Sequence, residues 1–455
     1  MSKFSTLFFI ALMLSAHAFA QDWAALPLTQ LYRQIPGTRT FTFAFENIDN
    51  TGISPYTIGW QQDNGPIHSL SKLASNTYWT SGGGLIADPT MTVTFPTTGV
   101  YKLKAWVKVP NDLNPANDTI TANITVYEAL PKKNVVLEIY KHLTCGPCYA
   151  IAQYADTCIA KNDAYSLVSI YAGITEPFAI PEGVEADDAL VGGTHPGPVF
   201  DRYKFNFFKS FRASYYATPF SIDGYGERER YFERVQVYFK SVNYNSATRE
   251  LKMKLAAKAW VGFSEELRFN VYLTEDSVKG YQAAAPDPAN YYHNHVLRAM
   301  LGGAWGKAGS IPSSMSKNDE AEYDFTYTVP SNYNTSKMHL IALVQAYDQN
   351  IIGRRIVNSE HKTFAEALDI KDATPAANLQ FNVYPNPATD VLKISFGTAL
   401  PKPVELTLED IAGRVYGTQQ VQADAELNLQ HLAPGTYLLR IDDGQVVHTH
   451  NVIKQ

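Results

Sequence analysis

The sequence predicts a multidomain, mainly β protein with one α/β unit in its middle. Three observations carry this expectation. Short segments that alternate apolar and polar residues fill both ends of the chain, the period of a half-buried strand. Between residues 135 and 203 the alternation gives way to continuous apolar runs separated by a helical stretch, the pattern of a parallel sheet covered on both faces. The chain has 455 residues, more than one domain holds at roughly 100–200 residues each.

The first 20 residues read as a signal peptide. Lys3 supplies the positive end, LFFIALMLS (7–15) the apolar stretch, and Ala18-Phe19-Ala20 before Gln21 the cleavage site. No later stretch reaches the ~18 apolar residues of a membrane-spanning helix. Export without a transmembrane segment is therefore expected. Hydrophobic residues make up 45% of the chain and charged residues 18%, a globular balance. The net charge of −6 and the lack of a basic run argue against nucleic acid as a partner.

Residues 21–128 predict an immunoglobulin-like sandwich. FTFAFEN (41–47), SPYTIGWQQ (54–62), MTVTF (91–95), YKLKAWVKV (101–109) and TITANITVY (119–127) are short strands separated by Gly-, Asn- and Pro-rich turns. Pro131-Lys132-Lys133 reads as a hinge. In the α/β unit, 129–230, VVLEIY (135–140), YSLVSIYAG (165–173) and PVFDRY (198–203) read as strands, with helices over 149–161 and 187–190. Strands return over 231–365, for which a second β-sandwich is expected, and 366–380 reads as a linker. The last segment, 381–455, has short strands joined by Asn-Pro, Ala-Gly and Pro-Gly turns, a small immunoglobulin-like domain.

The chemistry-bearing motif is Cys145-Gly146-Pro147-Cys148. The chain has only three cysteines, too few for a disulfide scaffold, so this pair stands out. It lies between a buried strand and a helix, where a thioredoxin-like fold places its redox pair. A thiol at a helix N-terminus meets unpaired N–H groups and the positive end of the helix dipole, which favour the thiolate. The second sulfur, two residues on, can resolve a mixed disulfide. Pro147 loses no hydrogen bond in a first helical turn. Thr194-His195-Pro196-Gly197-Pro198-Val199-Phe200 supplies the second half, with Pro196 expected in cis just before a strand, Pro198 as the competing position, and His195 beside the sulfurs. Thioredoxins carry a buried acid six residues before the first cysteine. Here that position is Ile139, Glu138 is one residue off, and His142 and His195 are the stand-ins. Cys158 lies ten residues past Cys148, about 15 Å along a helix, beyond the ~7 Å a disulfide spans, and reads as a buried free thiol. The two sulfurs with His195 are also a donor set for Cu(I) or zinc, but no resident metal and no cofactor are expected. His293 and His295 read as packing residues, and Glu176, Glu182, Glu185, Asp187 and Asp188 as a solvated acidic stretch.

Two resemblances follow. Tyr384-Pro-Asn-Pro387, the D-I-A-G-R motif at 410–414, L-x-P-G-x-Y-L at 432–438 and Lys454 resemble the type A sorting domain of type IX secretion substrates. This implies the type IX secretion machinery as a partner of 381–455 and delivery to the outer cell surface or the medium. Residues 134–360 resemble the outer-membrane-protein-28-related family, through the strand–CxxC junction, HPGPVF (195–200), RFNVYLTEDSVKGYQ (268–282) and YYHNHVLRAMLGGAWG (291–306). This implies a thioredoxin-like unit joined to a β-sandwich on an envelope protein.

Two functions are expected from these features. One is thiol–disulfide exchange on exported proteins, by Cys145 and Cys148 with Pro196 and His195 shaping the groove. The other is a non-enzymatic surface-binding protein in which the pair is a structural disulfide and the partner an unknown surface ligand.

Overall fold

The computed structural model describes residues 23–25, 33–47, 55–72, 85–159, 165–173, 175–204, 232–370, 379–400 and 402–455. The expected signal peptide, 1–20, lies outside the described residues, as do 371–378 of the expected linker. The chain divides into two units: Met1–Leu28, Thr42–Met91 and Lys102–Ala122 form one, and Thr29–Phe41, Thr92–Tyr101 and Asn123–Gln455 the other.

In the first unit, strand Tyr56–Gln62 pairs antiparallel with Ile67–Lys72 on one side and with residues 103–108 on the other. Its alternation puts Ile58 and Trp60 with Leu103, Ala105 and Val107 on the buried face.

The second unit holds the α/β strands, the sandwich and the C-terminal domain. Its central elements are β1 (Ala129–Pro131), β2 (Val135–Lys141), α1 (Gly146–Ile159), β3 (Tyr165–Tyr171), α2 (Pro181–Leu190) and β4 (Gly197–Phe200). Then come β5 (Val235–Asn245), β6 (Glu250–Ala259), β7 (Leu267–Glu275), β8 (Val278–Gly280), β9 (Tyr291–His293) and β10 (Val296–Met300). The sandwich closes with β11 (Glu320–Thr328), β12 (Met338–Ala346), β13 (Ile356–Thr363) and α3 (Phe364–Leu368).

One sheet of seven strands, ordered β4-β2-β3-β10-β7-β12-β13, runs through the boundary expected near residue 230. Strands β2 and β3 are parallel, β4 is antiparallel to β2, and β3 joins β10 by the parallel pair Ser169↔Val296. All seven residues of both β2 and β3 are buried, as the continuous apolar runs require when helices cover both faces. Val135, Leu137 and Ile139 pack on Ile151 and Ala155 of α1, while Val136 and Tyr140 pack with Ala186 and Leu190 of α2 on the other face. A three-stranded sheet, β5-β6-β11, faces β7 and β12 across an apolar core containing Phe239, Leu255, Phe269 and Val344.

Local differences from expectation have local causes. Helix α1 starts at Gly146 rather than 149, because the CxxC turn is itself its first turn. Helix α2 starts at Pro181, whose fixed φ and missing N–H suit the first helical position. Strand β4 stops at Phe200 because Asp201 and Arg202 take φ of 48° and 53°. Pro131-Lys132-Lys133 is not a hinge: Lys133 is buried, with its ammonium 3.0 Å from the Ile356 carbonyl and 3.3 Å from Asp201. The first part of the expected linker belongs to α3, closed by a capping box between Thr363 and Glu366.

The C-terminal domain comprises β14 (Phe381–Tyr384), β15 (Val391–Phe396), β16 (Val404–Asp410), β17 (Val415–Val421), β18 (Ala425–Asn428), β19 (Gly435–Asp442) and β20 (Val446–Lys454). Its sheets are ordered β14-β15-β18 and β17-β16-β19-β20-β1 and enclose Leu392, Ile394, Leu406, Leu439 and Val452.

Candidate functional site

Strand β2 ends at Lys141, and five residues later the chain enters α1. The Cys145 N–H donates to the His142 carbonyl (3.3 Å) and the Cys148 N–H to the Cys145 carbonyl (3.2 Å), which sets both cysteines in the first helical turn. Cys145 and Cys148 form a disulfide. Cys145 is half-buried and Cys148 fully buried.

Two imidazoles are held beside this turn. His142 Nδ1 lies 3.1 Å from Glu176 Oε1, and Glu176 Oε2 accepts the Leu143 N–H (3.2 Å). Room for the His142 ring comes from Gly173 (φ +95°), where a Cβ would sit 2.8 Å from His142 Cε1. His195 Nε2 lies 2.9 Å from Asp187 Oδ1, with both side chains more than nine-tenths buried. The two rings meet edge to face, 4.3 Å between centroids. The carboxylates thus fix both imidazoles against each other, which contradicts the reading of Glu176 and Asp187 as solvated surface. The His195–Pro196 bond is cis, and Pro196 is buried at the entry to β4.

A third wall comes from the loop after β8. The Gln282 amide, 1% exposed, donates to the carbonyls of Cys145 (3.0 Å), Ala283 (3.2 Å) and Leu143 (3.3 Å). The Ala283 N–H also donates to Leu143 O (2.8 Å). Nothing in the sequence singles out Gln282, since its partners at the CxxC turn are backbone carbonyls 137 and 139 residues away.

The face of β2 under α1 carries Lys141 in place of an acid. It is fully buried beside the Tyr171 ring (5.1 Å), and burial lowers its pKa to about 8 against the pull of Asp156. Burial raises the Asp156 carboxyl. Asp156 lies 3.6 Å from His295, which is 3.6 Å from Asp276, which meets His339 (3.1 Å), which meets His361 (3.0 Å). Burial works against ionised Asp276, but the bond from His339 and the nearby His295 bring its pKa to about 2. His293 is fully buried, with Nδ1 2.6 Å from the Tyr171 hydroxyl and Nε2 3.1 Å from Tyr281 O. Burial, helped by Lys141, lowers it to about 4. Glu138 points to the opposite face, where Arg202 holds it. Cys158 lies on α1, its side chain outside the described residues.

Comparison with known proteins places both resemblances on firm ground. Residues 237–362 match the family of outer membrane protein Omp28. Residues 382–455 match the secretion system C-terminal sorting domain. The Omp28 match covers β5 to β13 and so includes Gln282, His293 and His295 but not the cysteines. The match of 237–362 to Omp28 and the sorting-domain match together mark an exported protein attached to the cell surface. The sorting domain implies interaction with the type IX secretion machinery. No described helix is long and apolar enough to cross a membrane. No curated protein matches the chain. Among solved structures, HBP35 of Porphyromonas gingivalis is similar at 18% identity and TM-score 0.43, over 71% of this chain and 98% of that one. E. coli alpha-2-macroglobulin is similar at 10% identity and TM-score 0.19, over 97% of this chain and 22% of that one. A β-glucosidase from Kluyveromyces marxianus follows at 8% identity and TM-score 0.15, over 72% and 45%.

Proposed function

We propose that this surface protein carries out thiol–disulfide exchange on exported proteins through Cys145 and Cys148. The observation that carries the reading is the asymmetry of the pair at the start of α1: Cys145 half-exposed, Cys148 buried. From the oxidised form, a substrate thiolate attacks Cys145 Sγ, the Sγ–Sγ bond breaks, and Cys148 leaves as a thiolate at the helix N-terminus, where the dipole stabilises it. A second substrate thiolate then attacks the mixed disulfide, forming the substrate disulfide and releasing Cys145. The substrate is oxidised and the pair reduced by two electrons. Exchange with another protein disulfide regenerates the pair.

The order β4-β2-β3, with the CxxC after the first strand and Pro196 before the antiparallel third, supports a thioredoxin-like unit. His195 and His142 beside the turn are the groups suited to move the thiol proton. The alternative, a surface-binding protein with a structural disulfide, draws support from the Gln282 clamp that fastens the turn to the sandwich. A loop of this length stabilises little through chain entropy, however, so a structural role accounts poorly for the pair.

The test is the equilibrium reduction potential of the pair, by thiol labelling in glutathione or dithiothreitol buffers. A value of roughly −120 to −270 mV, with Cys148→Ala trapping mixed disulfides through Cys145, is expected. A potential below about −300 mV, or a pair that reacts only on unfolding, refutes the exchange reading.

A further inference from the structure

The C-terminal domain completes its larger sheet with a strand from elsewhere. Strand β20 pairs with β1 in the register Val446↔Pro131, Val447↔Leu130 and His448↔Ala129. The Lys132 N–H donates to Gln445 O (2.8 Å) and the Thr449 N–H to Glu128 O (3.2 Å). Val446 and Val447 leave the domain's own core and join a separate cluster with Ile35, Leu130, Phe232 and Trp260. Lys132 pairs with Asp442 at 2.7 Å, and the Gln236 amide donates to Gln445 Oε1 at 2.8 Å. This is strand addition: main-chain bonds give affinity, and two valines in an apolar socket give register.

A histidine sits inside this contact. His448 is 7% exposed, with its ring edge-on to Trp260 (6.1 Å) and Phe381 (5.8 Å). Its Nε2 has no hydrogen-bond partner among the described residues. Such a site suits a neutral ring and penalises a charged one.

We propose that residues 128–133 form a separable strand-addition latch that holds the sorting domain on the body while His448 is neutral and releases it when His448 is protonated. The charged groups facing His448 are Asp443, Glu128 and Asp442, which favour the imidazolium, and Lys258, which opposes it. Burial outweighs the acids and keeps the docked ring below the ordinary histidine range. Release takes Trp260 and β1 off the ring while Phe381 stays with it, and so raises its pKa toward the ordinary value of about 6.5. The latch is therefore fully closed above that value and weakens as pH falls below it. The sorting domain remains bound even after the connecting chain is cut.

The test uses the full chain with a site-specific protease sequence placed within 371–378. After cleavage, the pieces are expected to co-elute in size-exclusion chromatography at pH 7.5 and to separate at pH 5. Separation at pH 7.5 overturns the latch, and co-elution at both values overturns the role of His448. His448→Phe keeps the ring contacts without a titrating group, so its pieces are expected to stay together at both values. If they still separate at pH 5, the switch lies elsewhere. Lys132→Glu is expected to weaken association about three- to fivefold, with Asp442→Lys in the same chain restoring it; no rescue counts against the docking geometry. Val447→Glu is expected to separate the pieces at pH 7.5 while leaving the far-ultraviolet circular dichroism of the released domain unchanged, because Val447 lies outside that domain's core.

Discussion

Glu138 and Arg202 offer the sharpest quantitative test of how the α/β strands are joined to the sandwich. Glu138 is fully buried and accepts four hydrogen bonds of note: from Arg202 Nε (2.9 Å) and Nη2 (2.8 Å), the Tyr140 hydroxyl (3.0 Å) and the Tyr272 hydroxyl (3.2 Å). Arg202 also donates to the Ala304 carbonyl and stacks near the Trp305 ring (5.1 Å). Arg202→Met leaves a buried carboxylate with only two hydroxyl donors, and Glu138→Leu leaves a buried guanidinium. Each is expected to cost about 3–5 kcal/mol. In the double variant no charge remains. The residual cost is two tyrosine hydroxyls without an acceptor, about 1–2 kcal/mol each, and Tyr272 keeps its contact with Gln345. The double change should therefore cost about 2–4 kcal/mol, well short of the ~6–10 kcal/mol sum of the singles, a coupling of at least about 2 kcal/mol. Hydrogen exchange of the β2 and β7 amides reads the opening of this sheet rather than of the whole chain. Single variants costing under about 1 kcal/mol, or a double equal to their sum within about 0.5 kcal/mol, would show that the pair does not tie the two parts together.

Two further outcomes test the site. His293 is held neutral with a pKa of about 4, so the unfolded hairpin takes up its proton first as pH falls. Stability of the β8–β9 hairpin should be full above about 6.5 and decline by about 3 kcal/mol toward pH 4, at 1.36 kcal/mol per unit. His293→Gln should flatten the profile measured by amide exchange, and an unchanged slope would refute the assignment. Gln282→Ala removes three hydrogen bonds from the CxxC turn and its covering loop, each worth about 1 kcal/mol. Only the bond to Cys145 O holds a cysteine directly, so reduction of Cys145–Cys148 by dithiothreitol should quicken by about fivefold, and a change within twofold would show that the clamp does not restrain the turn.

Much of the fold was legible because its signals are local. The continuous runs at 135–140 and 165–173 demanded burial on both faces, and both strands are buried throughout. The motifs at 384–387, 410–414 and 432–438 fall at turns and strand starts of the C-terminal domain. The displaced acid was legible too: with period-two alternation, Glu138 had to face away from Ile139, and it does. What was hidden depends on long-range pairing. The junction of β3 and β10 rests on the single pair Ser169↔Val296, which leaves no imprint on either strand's pattern. Glu176 and Asp187 sit in an acidic stretch that looks solvated, and only the folding of two loops onto β2 and β4 brings imidazoles against them.

The same pairing decides what the disulfide can be. Three strands and two helices around Cys145 do not make a closed unit. The outer edge of β3 is met by β10, Glu138 is satisfied by a tyrosine of β7, and the Cys145 carbonyl is bonded by Gln282. An isolated piece spanning 129–230 would expose the β3 edge and leave Glu138 without Tyr272. The strand that leads into the CxxC turn and the strands of the Omp28-matched segment therefore share one sheet, and Gln282 ties the Cys145 carbonyl to the sandwich side. Under the proposed exchange function, this loop is the contact through which a redox change at Cys145 would reach the sandwich.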